Sequence, residues 1–299
     1  QSQDNESAGA RYTQLQMNAQ AAISAMELYE AFGETEYLSR GVSFARILMA
    51  CQASAVDPSF SIPLRGYFYE NETHERIQTY YHRSYEHAPI KAFAMLYRLA
   101  PEHEDAARWK NSLELYREYV ALTSRTVPYG LLPNGIYELD NTDFSTITHE
   151  GARAAGAPSL EEYNAQVRNG IRLNDRFYLR VFPVAYQFRG FHATLMGRAL
   201  AAMELARALN DREIKQVAVR QMEWILGCNP FAVSSMYGEG HDYHPLYAPM
   251  SPQLVGAVPV GFETFENEDQ PFYPMQNNAT YKEVWVHTTC RMMWLIAML

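Results

Sequence analysis

With 299 residues and a 47% hydrophobic composition, the sequence holds enough apolar material for a substantial core, and length alone does not choose between one large domain and two. Its formal net charge of -9 excludes the basic face that nucleic acid or an anionic membrane surface requires, which leaves neutral or cationic small molecules and polymers as partners. No apolar run reaches the roughly 18 residues of a membrane-spanning helix.

The first residues, Gln1 to Ser7, carry neither a Met nor a signal pattern, so the sequence reads as an interior stretch or a processed product. Apolar residues then recur at helical spacing over 12–32, with Leu15, Ala19, Ala22, Ile23, Met26 and Tyr29 on one side. Gly33 ends this helix and Thr35 is placed to cap the next, which carries Leu38, Val42, Ala45 and Leu48. So short a connection makes the pair an antiparallel hairpin.

Two further hairpins follow. Pro89 opens a helix through Phe93 and Tyr97, Pro101 ends it, and a second runs through Trp109, Leu113, Tyr116 and Val120. The third pair spans 188–209, turns at Asn210-Asp211 and ends at Gly227. Between hairpins lie long excursions, 53–79, 125–185 and 228–276, rich in Gly, Pro, Tyr and His. Within the second, Ser159 and Glu162 have the spacing of a capping box over a short helix, and 66–69 and 254–262 suit short β pieces. If the hairpins pack side by side, the tight turns share one end and the long loops the other, which is where a site belongs. Cys51, Cys228 and Cys290 are far apart, and those in apolar helical runs read as buried thiols, with no disulfide framework.

The final stretch is the most informative. Glu283 stands before a run that turns apolar from Cys290 to Leu299, so this last helix is expected to be buried with a carboxylate at its mouth. A helix start, with Lys282 alongside, favours the carboxylate anion, and the residue equally suits a plain role in compensating the helix dipole. Tyr281 and Trp285 flank it. The cluster Tyr80 to His87, with Tyr81, His82, Arg83 and Glu86, has the groups for hydrogen bonding to hydroxyls and ring stacking, as an aromatic loop satisfying its own backbone also would. His241, Tyr243 and His244 in the third excursion suit sugar contact or loop structure. Two His three residues apart, with no further ligand pattern, do not make a metal site. No phosphate loop, Gly-x-Ser-x-Gly elbow or Cys-x-x-Cys pair occurs, and no cofactor is expected.

The segment Gln221-Met222-Glu223-Trp224-Ile225-Leu226-Gly227-Cys228-Asn229-Pro230, followed by Ser234 to Gly240, resembles the Q-x-x-x-I-L-G-x-N-P … S-x-x-x-G-x-G segment of glycoside hydrolase family 9. Glu283-Val284-Trp285-Val286-His287 is similar to that family's terminal helix region. The resemblance implies an all-α fold, an (α/α)6 toroid of helical hairpins forming one domain over 1–299. It also implies inverting hydrolysis of β-linked glycans, in which one carboxylic acid protonates the leaving oxygen and a carboxylate roughly 6.5–9.5 Å away activates water. Glu283 matches the acid. The family's Asp-Ala-Gly-Asp-type loop, which supplies the base, has no match. About seven long helices stand against the twelve of a full toroid, so the ring is expected to be incomplete at its N-terminal side, with the missing segment of the same protein as partner. His241-Asp242-Tyr243-His244-Pro245 replaces the family's His-His-Arg segment, and Lys282 replaces the usual Asn, which bears on the substrate. A polysaccharide lyase using Tyr81 and His82, or a glycan-binding toroid without catalysis, are the alternatives. The family's habit of export favours a periplasmic or extracellular location.

Overall fold

A computed structural model describes residues 13–80, 85–141, 159–184, 190–243, 245–247, 253–264, 268–273 and 279–299, except for the side chain of Thr280. Three helical hairpins organise them. The first joins α1 (Gln14–Phe32) to α2 (Thr35–Ala50), the second α3 (Ala88–Leu99) to α4 (Ala106–Thr126), and the third α6 (His192–Leu209) to α7 (Arg212–Ile225). A short α5 (Leu160–Arg168) lies in the second excursion, and α8 (Ala279–Lys282) and α9 (Val286–Met298) close the chain.

The turns follow from their residues. Gly33 takes φ 71° after α1, and Asn210 takes φ 53° after α6, both left-handed positions that Gly and Asn tolerate best. Asp211 then caps α7, its carboxylate accepting from Ile214 N at 3.0 Å. Thr13 caps α1 through Gln16 N. Thr35 does not cap α2 as expected: it is the first helical residue, and Glu34 occupies the cap position without a side-chain bond. The capping box of Ser159 and Glu162 on α5 is formed as read.

Burial sorts the helices into layers. α6 buries residues all around its circumference, as does most of α3, so both are interior. α2 and α7 bury one stripe each, Gly41, Val42, Ala45 and Leu48 in the first, and are outer helices. α3 packs against both α1 and α6, and α6 against α9, giving an inner row α1, α3, α6, α9 backed by α2, α4 and α7. This is an all-α arc of α/α hairpins.

The inner helices are staggered. Lys91, in the first turn of α3, pairs at 3.0 Å with Glu27, in the fourth turn of α1. His87, at the start of α3, packs edge-on at 5.2 Å against Trp294, in the third turn of α9. At about 1.5 Å of rise per residue, α3 therefore starts well below its neighbours. Residues 85–87 lie recessed between the first turns of the others.

Sheet structure exceeds what the sequence shows. In the second excursion β1 (Gly135–Glu138), β2 (Ile171–Arg172) and β3 (Phe177–Arg180) form an antiparallel sheet in the order β1-β3-β2, with Ile136 opposite Leu179 and Arg172 opposite Tyr178. The sheet is anchored by Asp269, whose oxygens accept from Val181 N at 3.1 Å and Phe182 N at 2.9 Å beside the buried Arg180. A two-stranded piece pairs β4 (Glu263–Thr264) with β5 (Pro271–Phe272). Phe68 and Tyr69 make only isolated bridges, to Gln52 and Ile77.

Two burial expectations are corrected. Cys51 is buried as read, whereas Cys290 on α9 is exposed against expectation; Cys228, beyond the end of α7, is exposed too, and all three are free. Cys290 is exposed because α9 is itself only half covered: Val286 is 75% and Met293 63% exposed, on the side of α9 turned away from α6. α1 has a matching bare stripe, with Met17 61% and Phe32 65% exposed. The two ends of the inner row thus present apolar flanks that α3 and α6 bury on their neighbours.

Candidate active site

Glu283 does not open a helix. Trp285 is the N-cap of α9, and residues 283–285 form an extended tether between α8 and α9. The dipole of α9 therefore does little for Glu283, because its field fades outside the terminal turn. What holds the residue is a backbone strap. Val260 N donates to Glu283 O at 2.9 Å, Gly261 N to Tyr281 O at 2.8 Å, and Tyr247 N to Lys282 O at 3.1 Å, while Pro259 bridges Val284.

The strap is in turn fixed to both helix starts. His192 N donates to Val260 O and Phe191 N to Phe262 O, each at 3.0 Å, at the start of α6. Thr288 Oγ1, in the first turn of α9, donates to Val258 O at 2.6 Å. Gly261 makes the crossing possible: its φ is +93°, and a Cβ there would lie 2.0 Å from His192 Nδ1. Gly261→Ala is expected to lower the unfolding free energy by about 2 kcal/mol or more through backbone strain and overpacking, measured by urea denaturation.

The carboxylate of Glu283 is half-buried, and its Oε2 accepts from Trp285 Nε1 at 2.8 Å. Lys282 is buried with its ammonium 5.5 Å from the centre of the Tyr281 ring, and burial lowers its pKa. Tyr281 is buried as well. Its hydroxyl has no partner among the described residues, and burial together with the Glu263 carboxylate raises its pKa.

A second group lies in the recess at the start of α3. Glu86 is buried, its Oε2 has no partner among the described residues, and burial pushes its pKa up to about 8 against the opposing pull of Arg198 and Arg291. Arg198 comes from the second turn of α6. Its Nη1 donates to Asn134 Oδ1 at 2.8 Å, and Asn134 is clamped by donating to Tyr137 OH at 2.7 Å and Tyr80 O at 3.2 Å. Arg291, on α9, donates to Ala193 O, lies 5.6 Å from the Tyr85 ring, and has its pKa pushed down to about 10 by burial. The phenols of Tyr80, Tyr116 and Tyr119 feel the Glu86 charge and are themselves pushed up by burial. His87 is buried, and burial with Arg291 and Lys91 nearby lowers it to about 3, so it is neutral.

Of the predicted site residues, Glu283 and Trp285 lie on the tether, Tyr281 on α8 just before it, and Glu86 stands in the recess. His241 and Tyr243 lie on an exposed turn after α7, where Tyr243 packs against Tyr237 at 5.3 Å. Tyr81, His82, Arg83 and His244 lie outside the described residues. Sequence reasoning missed Arg198, Arg291 and Asn134. Arg198 and Arg291 each interrupt an otherwise apolar helical run, and a lone charge on a buried face was the available signal. Asn134 carried none. Among the described residues no group of three or more His, Cys, Asp or Glu is placed to hold a metal ion, and no helix of theirs is long and apolar enough to cross a membrane.

No family model and no curated protein matches the sequence. Among solved structures the chain is similar to the cellulase Cel9M of C. cellulolyticum, at 14% identity and a TM-score of 0.47, over 94% of this chain and 49% of that one. It is also similar to the GH family 9 endoglucanase J30, at 15% identity and a TM-score of 0.33, over 94% and 53%. A third likeness is to endoglucanase CelQ from Clostridium thermocellum complexed with cellobiose and cellotriose, at 16% identity and a TM-score of 0.30, over 95% and 61%. The chain spans about half the length of the first two.

Proposed function

We propose that this chain is the C-terminal part of an inverting glycoside hydrolase acting on β-linked glycans, with Glu283 as its general acid. The observation that carries the reading is the tether: a half-buried carboxyl fixed by Trp285 Nε1 and strapped across the starts of α6 and α9. It occurs in a sequence whose segments 221–240 and 283–287 resemble family 9. In this role Glu283 gives its proton to the glycosidic oxygen as the bond from the anomeric carbon to that oxygen breaks. A water attacks the anomeric carbon from the opposite face, and a carboxylate base takes its proton. That base is assigned to a segment outside these residues.

The bare flanks of α1 and α9 support the same reading. Met17 and Phe32 on one end of the inner row, and Val286 and Met293 on the other, are the contacts that further hairpins of the same protein would cover in closing the ring.

The test is an assay of the whole protein, including the segment that supplies the base, on a panel of β-glycans. New reducing ends without ultraviolet absorbance support hydrolysis. Unsaturated products absorbing in the ultraviolet replace it with elimination, and glycan binding without new ends replaces it with a binding role.

A further inference from the structure

Two buried groups in the recess each lack one hydrogen bond, and they are complementary. Arg198 Nε is a donor with no partner among the described residues, and Glu86 Oε2 is an oxygen with none. Each is the first charge that acts on the other. The guanidinium is not free to swing toward the carboxyl, because Asn134 holds its Nη1 and is itself held by Tyr137 and the Tyr80 carbonyl. An unmet donor and an unmet oxygen in a buried place are costly unless a third group serves both.

The chemistry narrows that group. An anion satisfies Arg198 but offers Glu86 no donor, and a cation offers Arg198 no acceptor. A hydroxyl accepts with its oxygen and donates with its hydrogen, so the hydroxyl of a ligand, or a water in its place, serves both without introducing a charge. The surroundings suit a ring bearing hydroxyls: Tyr80, Tyr116 and Tyr119 stand around Glu86, with Tyr116 and Tyr119 5.9 Å apart at their ring centres.

We propose that Glu86 and Arg198 form a two-point hydroxyl site, Arg198 Nε donating to and Glu86 Oε2 accepting from one hydroxyl of a neutral sugar. The site rests on the glycosidase reading for the identity of its ligand as a sugar. It assigns Glu86 and Arg198 to substrate recognition and not to bond cleavage.

Cellobiose binding is to be measured by titration calorimetry in the Glu283→Gln protein, and KM for a β-glucan in the protein with Glu283 intact. Glu86→Gln keeps an acceptor oxygen and is expected to hold the dissociation constant within about 3-fold, whereas Glu86→Leu removes it and is expected to weaken binding about 10-fold or more, with KM rising in step. Arg198→Met should match Glu86→Leu. If it does not fold, the Gln and Leu variants at position 86 decide alone. Equal affinity and KM in Glu86→Leu and Glu86→Gln overturn the site while the glycosidase reading stands. Absence of both sugar binding and glycan cleavage in the parent overturns both, leaving a bound water only as the bridging group.

Discussion

Replacing Glu283 by glutamine is expected to reduce kcat on a β-glucan by about 10²- to 10⁴-fold, the range a positioned general acid contributes. Glutamine has the shape of the carboxyl and can still accept from Trp285 Nε1, so the melting temperature should stay close to that of the parent. The loss should shrink on aryl glycosides, whose leaving oxygen departs without needing the proton. That contrast separates a proton donor from a residue that only shapes the cleft: a structural role lowers activity equally on both substrate types. A kcat unchanged on glucan in Glu283→Gln would remove Glu283 from the chemistry.

Glu86 carries the second large effect, on stability. Its carboxyl is pushed up to about 8 in the fold from an ordinary value of 4.5, by burial first and with Arg198 and Arg291 only partly opposing. Between these two values the unfolded chain has released the proton while the folded protein retains it. Stability therefore falls as pH rises through this window, by about 1.4 kcal/mol per pH unit, and levels off above about 8. Glu86→Gln keeps the neutral shape and removes the titration. Relative to the parent, the variant is expected to gain about 3 kcal/mol between pH 5 and pH 8, measured by urea denaturation at constant ionic strength. Other titrating groups cancel in the difference, so parallel stability curves for the two proteins would show that Glu86 is not held protonated.

The two carboxyls illustrate what was legible in the sequence. The hairpins were readable because Gly33, Asn210 and Asp211 are turn and cap residues and the apolar spacing between them is regular. Glu283 was readable as a residue but not as a geometry. The sequence suggests a helix-opening carboxylate, whereas an extended tether places it, held by backbone bonds from 260 and 261 that have no side-chain signature. The cover on α9 was misread for a related reason. An apolar run shows that a helix has apolar sides, but which of them meet a neighbour depends on where the row of hairpins ends, so Val286, Cys290 and Met293 are exposed. The sheet of the second excursion was missed because β1 and β3 are only four residues each and the end of β3 is anchored by Asp269, about 90 residues further along the sequence. Arg198 is brought toward Glu86 by the packing of α6 against α3, and Asn134 reaches Arg198 from just before β1, contacts between segments that no local pattern links.

The central claim is that Glu283 acts as the acid of an inverting hydrolase. The most direct measurement is proton NMR of the anomeric signal of the first product formed from a β-linked oligosaccharide, recorded before mutarotation. The account predicts the α anomer, and initial release of the β anomer would contradict it.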